Sequence, residues 1–212
     1  MLKTSIPVDP YNIIITGVGG QGNVMASRML GNALVRKGYF VTIGETFGVS
    51  QRGGSVMSHM RISEKSPWSP QIPRGRADMV VALEPSEALR VIAAYGNGKV
   101  IVISNTRPIH PVGVIAGEAS YPPIEELMGA ICELAGEAIF IPATDEALRM
   151  GNPILVNVIM LGALSAFRTL PFDVKNFREI VSETMPANRL EMNVLAFEKG
   201  KDLARAKMAG VD

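Results

Sequence analysis

The feature that most constrains the fold is a cluster of glycines between a predicted strand and a predicted helix. Residues 12–16 form an apolar, β-branched run that is typical of a buried strand. Apolar residues then recur at helical spacing between residues 22 and 37. The motif between them has the spacing G-x-G-x-x-G and consists of Gly17, Val18, Gly19, Gly20, Gln21 and Gly22. In this context backbone N–H groups can approach an anion at the start of the helix. A tight turn that binds nothing is the alternative.

Predicted strands and helices alternate along most of the chain. Because residues 12–43 have the pattern of a β-α-β unit, they predict a parallel pair of strands. Beyond residue 150 the chain is predicted to be helical, with helix starts at Asn152-Pro153 and at Asp173. We therefore expect an α/β fold, with one domain over residues 1–212. It would be a three-layer, Rossmann-like domain with a mostly parallel sheet and a helical C-terminal part. Further strands are predicted at residues 39–43, 57–62, 78–83, 99–104 and 138–141.

Composition excludes several classes of function. The net charge is +1 and 19% of the residues are charged, so neither nucleic acid nor an anionic membrane is an expected partner. The single cysteine, Cys132, excludes a disulfide framework and a cysteine-ligated iron–sulfur cluster or zinc site held by this chain alone. The apolar run at residues 154–167 is too short to span a bilayer and predicts a buried helix. Without a signal peptide at its N-terminus, the chain is predicted to be soluble and cytoplasmic.

A second glycine-rich segment, residues 44–55, follows the predicted second strand. It places Arg52 next to Gly53 and Gly54, at the edge of the sheet where ligands of parallel sheets bind. The planar guanidinium of Arg52 suits a phosphate, a carboxylate or an acidic group of a partner. The alternative is a surface hairpin with an exposed arginine.

Two further side chains have open interpretations. Glu45 ends the predicted second strand, where a nicotinamide enzyme would hold a ribose-binding acid, but a solvated loop acid is the alternative. Trp68 lies in a proline-rich loop and is expected to be partly exposed. Its ring would then anchor an interface or fold over its own domain.

The two glycine loops together resemble the gamma subunit or domain of 2-oxoacid:ferredoxin oxidoreductases. Residues 78–85, the Tyr121-Pro122 pair and residues 157–164 support the resemblance, which runs from about residue 12 to about residue 197. Within that family, a free-standing chain of this length is most similar to the small (beta) subunits of the indolepyruvate type.

The resemblance implies a division of labour between subunits. Such enzymes convert a 2-oxo acid and coenzyme A to an acyl-CoA and CO2 in amino-acid catabolism, and they pass electrons to ferredoxin. Thiamine diphosphate and iron–sulfur clusters would lie on a large partner subunit of a hetero-oligomer, so this chain would be inactive alone and hold no catalytic residue or metal ligand. The residues carried over as candidates for coenzyme A contact or subunit contact are Gly17, Gly19, Gly20, Gln21, Gly22, Arg52, Gly53 and Gly54.

Several questions stay open at this point. The identities of the residues do not decide between coenzyme A contact and subunit contact for the two loops. The glycine motif and Glu45 also permit an independent NAD(P)- or flavin-binding oxidoreductase of Rossmann type. A binding module for coenzyme A or another phosphate ligand, without electron chemistry, is a third hypothesis.

Overall fold

The computed structural model describes residues 6–48 and 54–210. Its strands are β1 (Tyr11–Val18), β2 (Phe40–Phe47), β3 (Ser55–Ser63), β4 (Met79–Ala82), β5 (Ile101–Asn105) and β6 (Glu137–Ile141). Its α-helices are α1 (Asn23–Arg36), α2 (Pro85–Tyr95), α3 (Val112–Ile115), α4 (Ile124–Leu134), α5 (Ala143–Arg149), α6 (Val156–Ala166), α7 (Val174–Thr184) and α8 (Leu190–Met208). Short 3-10 turns at Pro153–Leu155 and Ala187–Arg189 lead into α6 and α8.

The six strands form one sheet in the order β2-β3-β1-β4-β5-β6. Strands β1, β4, β5 and β6 run parallel to one another, and β3 is antiparallel to both of its neighbours. The predicted α/β fold with a mostly parallel sheet is therefore confirmed. The carboxyl ends of these four strands, and of β2, which runs in the same direction, all lie at one edge of the sheet, which we call the carboxyl edge.

The predicted parallel pair is wrong in one respect: β1 and β2 run in the same direction, but they are not neighbours, because β3 lies between them and is antiparallel to both. Strand β3 forms eight residue pairs with β1 and eight with β2. The short connection over residues 48–54 explains why β3 pairs with β2. A connection of that length favours antiparallel pairing of the two strands it joins, whereas a parallel pair needs a longer crossover. The backbone N–H of Gly48 donates to the carbonyl of Ser55 over 2.7 Å at the base of this hairpin.

Helices cover both faces of the sheet and give the predicted three layers. Along β1, Ile13 and Ile15 pack into a core shared with α1, α6, α7 and α8. Ile14 points to the opposite face, where the core is shared with α2 and α4. This alternation follows from the two-residue period of a strand, and both faces must be apolar because both are covered.

The helix starts predicted from the sequence are confirmed. Asn152 accepts a hydrogen bond from the N–H of Ile154 over 3.1 Å, and Pro153 follows it in the first turn. Asp173 caps α7 and forms a reciprocal capping box with Asn176. Phe172, which precedes this cap, lies edge-on to Phe177 in the next turn with the ring centres 6.5 Å apart.

The apolar run after residue 150 forms a core helix, as predicted. All eleven residues of α6 are buried. Within residues 6–48 and 54–210, no helix combines the length and the apolar character that a membrane span requires.

Two glycines allow α6 and α8 to pack with their backbones in contact. A Cβ on Gly162 would lie 1.9 Å from the carbonyl oxygen of Phe197, and a Cβ on Gly200 would lie 1.8 Å from the carbonyl oxygen of Ile159. These pairings show that the two helices run antiparallel. Because the obstructing atoms belong to the backbone, no side-chain rotation can relieve the overlap.

We expect the substitution Gly200→Ala to separate α6 from α8 and to lower the free energy of unfolding by about 3 kcal/mol. The matched control is Gly129→Ala in α4, where an added Cβ would meet nothing within 4 Å. That change is expected to stabilise the protein by about 0.5–1 kcal/mol, because alanine favours the helix over glycine. Denaturant unfolding of both variants measures the difference, and equal effects would contradict the close packing.

His59 is a buried histidine in the middle of β3, with 2% of its surface exposed. Its Nδ1 accepts a hydrogen bond from the N–H of Ile72 over 3.3 Å, and its ring meets Tyr95 edge-on with the ring centres 5.0 Å apart. The Nε2 atom has no hydrogen-bond partner. Burial lowers the pKa of His59 from its ordinary value of 6.5, so the folded state favours the neutral ring.

The free energy of unfolding should therefore fall as the pH drops below about 6.5, since the unfolded chain takes up a proton that buried His59 resists. His59→Gln is expected to flatten this pH dependence between about pH 7 and pH 5. His110→Gln removes the exposed second histidine and serves as the matched control. Unfolding curves at several pH values test this, and an unchanged slope in His59→Gln would contradict it.

Candidate functional site

The first glycine loop lies at the carboxyl edge, directly between β1 and α1. Gly20 and Gly22 have φ angles of +101° and +84°, a backbone region that favours glycine. A Cβ on Gly22 would also lie 2.3 Å from Nδ2 of Asn157 on α6, and a Cβ on Gly17 would lie 2.6 Å from Oε1 of Gln21. The glycines are therefore required by backbone conformation at two positions and by close packing at Gly17 and Gly22.

The side chain of Gln21 is used inside the loop. Its Oε1 accepts a hydrogen bond from the N–H of Val18 over 2.8 Å, and its Nε2 donates to the carbonyl of Leu83 over 2.7 Å. Gln21 thereby joins the loop after β1 to the end of β4. Its amide is engaged within the chain, so the part of this loop that remains open to a ligand is backbone.

The two glycine loops meet at this edge. The N–H of Gly19 donates to the carbonyl of Gly54 over 2.8 Å. Arg52 and Gly53, the other predicted site residues of the second loop, lie outside the described residues. The two loops therefore contact each other through Gly54, while the binding role of both loops stays a prediction.

The start of α1 carries neither a capping side chain nor an acidic side chain that would compete with an anion. Its N-cap is Gly22, which offers no capping side chain, and its first turn contains no acidic residue. Met25 in this first turn is 42% exposed. Because the first N–H groups of a helix carry partial positive charge and lack partners inside the helix, this end can accept a phosphate or carboxylate.

A buried acid, Glu84, fixes the loops around the neighbouring strand end. One carboxylate oxygen accepts hydrogen bonds from the hydroxyl of Ser86 over 2.6 Å and from the N–H of Glu87 over 2.9 Å. The other accepts from the hydroxyl of Tyr121 and, over 3.4 Å, from the N–H of Ile109. Glu84 therefore holds the segment between β5 and α4 over the carboxyl edge.

Tyr121 is the donor in this arrangement. Burial, together with the nearby Glu84 carboxylate, raises the pKa of Tyr121 well above its usual value of 10. The hydroxyl consequently keeps its proton and its hydrogen bond over the physiological pH range. Sequence reasoning did not assign a role to Glu84 or to Tyr121. The sequence signals available were residues 78–85, which contain Glu84, and the Tyr121-Pro122 pair, both of which support the resemblance.

A second buried acid, Glu87, anchors the end of the second glycine loop. Its Oε2 accepts hydrogen bonds from the hydroxyl of Ser55 over 2.7 Å and from Nε of Arg90 over 3.0 Å. The hydroxyl of Thr16, near the end of β1, lies 3.4 Å from the same oxygen. Glu87 thus connects α2 to both β1 and β3 beside the two loops, with Arg90 as its counter-charge.

Next to the first glycine loop is a small cavity with a largely apolar wall. Its volume is about 250 Å³, and Gly20 and Gln21 form one side of it. Ile109 and Ile154 line the other side, and they are 37% and 65% exposed. On α3, which follows the segment containing Ile109, Val112 and Ile115 are also exposed. We call these four aliphatic side chains, Ile109, Val112, Ile115 and Ile154, the apolar rim.

Glu45 does not stand beside the first glycine loop. It lies on β2, which β3 separates from β1, so two strand spacings, or about 10 Å, lie between β1 and β2. Its carboxylate is 3.9 Å from Nε of Arg28 on α1. This placement disfavours the ribose-binding role, because that role needs an acid on the strand next to the glycine loop.

No metal centre is found in the part of the chain that the structure describes, residues 6–48 and 54–210. Within it, no three His, Cys, Asp or Glu side chains come together as metal ligands. Cys132 is exposed on α4, remote in sequence from both glycine loops. What this edge offers chemically is open backbone N–H groups, a small cavity and an apolar rim.

Comparison with known proteins identifies the family. Residues 12–203 match the family described as pyruvate ferredoxin/flavodoxin oxidoreductase. The chain belongs to this family. The resemblance to its gamma-type subunits is thus confirmed, and the two glycine loops belong to a domain of that kind.

Curated relatives and a solved structure agree with this assignment. The chain is 39% identical to the indolepyruvate oxidoreductase subunit IorB of Thermococcus kodakarensis, covering 92% of this chain and 96% of that protein. It is 38% identical to the subunit of the same name from Archaeoglobus fulgidus, covering 91% and 94%. A 2-oxoglutarate:ferredoxin oxidoreductase from Magnetococcus marinus has the same fold, with a TM-score of 0.73 and 23% identity over 94% of this chain and 32% of that chain.

Proposed function

We propose that this chain is the small subunit of an indolepyruvate-type 2-oxoacid:ferredoxin oxidoreductase. The observation that carries the proposal is the 38–39% identity to indolepyruvate oxidoreductase subunits over nearly the full length of both chains. The complex would oxidise an aryl pyruvate with coenzyme A to an acyl-CoA and CO2, and pass the electrons to ferredoxin. It would act in amino-acid catabolism in the cytoplasm, and residues 1–212 would form one gamma-type domain.

The contacts of the described residues favour a structural role for this chain in catalysis. The reacting groups of such an enzyme, thiamine diphosphate and iron–sulfur clusters, are assigned in this proposal to the large partner subunit. The buried acids at the carboxyl edge, Glu84 and Glu87, direct their oxygens at donors of this chain, and neither is exposed to a substrate. Both therefore hold loops in place, which is what a subunit that shapes an active site needs.

The carboxyl edge would serve both functions left open by the sequence. The apolar rim supports subunit contact, because exposed aliphatic side chains gathered beside a cavity mark interaction sites. The uncapped start of α1, together with the glycine backbone of Gly20 and Gly22, supports an approach for the phosphates of coenzyme A. Arg52, two residues before Gly54 in the sequence, would add a cation for these phosphates.

Co-expression with the large subunit tests the proposal as a whole. The purified complex should reduce ferredoxin, or a viologen dye in its place, when an aryl pyruvate and coenzyme A are both present. Either chain alone should be inactive. If the two chains do not associate, or if this chain turns over an aryl pyruvate by itself, the proposal is wrong.

The subunit-contact role predicts the effect of a charge at the apolar rim. Ile154→Asp should weaken association with the large subunit by at least about tenfold, because an aspartate would be buried without a partner in the interface. Its effect on the stability of the free chain should be small, since Ile154 is exposed. The matched control is Leu195→Asp, which is 56% exposed near the start of α8, away from the carboxyl edge. Analytical ultracentrifugation distinguishes the two variants, and equal association would contradict the assignment.

The coenzyme A role predicts the effect of a charge at the start of α1. Met25→Glu should raise the KM for coenzyme A by about fivefold, since the added charge competes with a phosphate at the helix N-terminus. Met25→Gln has a similar shape without the charge and should match the unmodified enzyme. The maximal rate and the assembly should be unchanged in both. If Met25→Glu instead prevents assembly, this edge serves subunit contact, and equal KM values would exclude the phosphate role.

A further inference from the structure

A second cavity, of about 630 Å³, opens at the edge of the sheet opposite to the glycine loops. Tyr11, Asp78 and Ile101 line it where β1, β4 and β5 begin. The eight residues of β1 separate it from the first glycine loop by about 25 Å. We call it the amino-edge cavity. It is therefore independent of the site proposed above.

The walls of the amino-edge cavity are fixed by contacts within the chain. Nε of Arg61 donates to the side-chain oxygen of Asn12 over 3.1 Å, and its guanidinium also donates to the carbonyl of Ser69 over 3.3 Å. The same guanidinium lies 4.8 Å from the ring centre of Trp68. The proline-rich loop that contains Trp68 is thereby tied to β1 and β3. The cavity is formed in advance, so a ligand would not have to order it.

Cationic side chains dominate its lining. Arg61, Arg76 and Lys99 are three positive groups, against the single acid Asp78. Arg76 and Lys99 are exposed, and neither is in an ion pair with any residue of the described segments 6–48 and 54–210. Asp78 is engaged elsewhere, because its carboxylate accepts a hydrogen bond from the N–H of Asn12 over 2.7 Å. The balance of charge in the cavity is positive.

Two buried hydroxyl groups in the lining have no hydrogen-bond partner other than each other. They belong to Tyr11, which is 3% exposed, and to Thr169. The two side chains are neighbours: burial raises the pKa of Tyr11, and a hydrogen bond with the hydroxyl of Thr169 opposes this rise. Buried polar groups in native proteins are normally paired. When one of these hydroxyls donates to the other, the second still has a proton to donate, which points to a ligand that accepts hydrogen bonds.

Part of the remaining lining is apolar. Trp68 is 44% exposed, and three prolines line the same cavity, Pro7, Pro10 and Pro73. Aromatic and proline surfaces favour a planar apolar group. The volume lies within the range of small-molecule sites, about 300–1,000 Å³.

We propose that the amino-edge cavity binds a small carboxylate whose body is a planar aromatic ring. The carboxylate would lie among Arg76, Lys99 and the hydroxyls of Tyr11 and Thr169. The ring would pack against Trp68 and the prolines. An anion would offset the excess of positive charge in the lining and accept a hydrogen bond from the Tyr11 and Thr169 hydroxyls, and the ring would cover the apolar part of the lining.

Trp68 makes the proposal directly measurable, because it is the one tryptophan of the chain. Titration of the full chain with benzoate should give a saturable change in tryptophan fluorescence. Benzamide, which has the same shape without the charge, should need a concentration at least about tenfold higher, and so should acetate, which lacks the ring. No saturable response to benzoate below about 10 mM, or an equal response to benzamide, would overturn the proposal.

Variants separate binding at this cavity from a general effect of charge. Replacing both Arg76 and Lys99 by Gln should weaken benzoate binding at least about tenfold. The control replaces Lys175 and Arg189 by Gln, which removes the same charge from exposed positions that do not line the cavity. Tyr11→Phe should weaken binding about threefold to tenfold through loss of one hydrogen bond, with circular dichroism confirming the fold. Equal affinities in both double variants would overturn the proposal.

The complex with the large subunit provides the last arm of the test. Equilibrium dialysis with labelled benzoate should show the same affinity for the complex as for the free chain. Binding to the free chain that disappears in the complex would overturn the proposal, because the cavity would then be a contact surface for the partner subunit. Inactivity of the complex, with benzoate binding intact, would contradict the proposed function and leave this inference standing.

Discussion

The carbonyl oxygen of Leu83 joins three strand ends at the carboxyl edge, and the candidate site depends on it. It accepts one hydrogen bond from Nε2 of Gln21 over 2.7 Å and one from Nδ2 of Asn105 over 3.1 Å. Asn105 also donates to the hydroxyl of Thr144 over 2.8 Å, which extends the connection to the first turn of α5 after β6. Because these bonds are buried or partly buried, loss of one partner leaves a polar group unpaired, at a cost of about 1–3 kcal/mol. The loops therefore hold one arrangement.

This constraint explains why the glycine motif has few free side-chain groups to offer. Gln21 is committed to Val18 and Leu83, and a side chain at Gly17 or Gly22 would collide with Gln21 or Asn157. What remains at the surface is the backbone and the start of α1. A motif of this kind suits recognition of phosphate, which needs N–H donors and positive potential rather than reactive side chains. It equally suits a close approach by the backbone of another subunit.

The sequence predicted most elements and missed the contacts between distant ones. Strands and helix starts follow from local signals, such as the apolar run of residues 12–16 and the Asp173 cap, and these predictions are confirmed. The predicted neighbour of β1 was wrong, because the pattern of apolar residues at 57–62 identifies a strand without indicating which strand it pairs with. Glu84 and Tyr121 were missed as a pair because 37 residues separate them and only the folded chain brings them together.

The two edges of the sheet differ in the kind of group that they expose, and the topology is the reason. At the carboxyl edge the strands end in loops whose side chains bond to one another, so backbone and aliphatic groups face outward. At the opposite edge the strand starts are wrapped by the proline-rich loop, which carries Trp68 and is held by Arg61. Prolines cannot donate to neighbouring strands, so this loop is bonded to the side chains of Arg61 and His59 on β3 rather than through a ladder of backbone contacts. Charged and aromatic side chains consequently remain available there, about 25 Å from the loops that face the proposed partner. A ligand at one edge and a subunit at the other would occupy separate surfaces of the same rigid sheet.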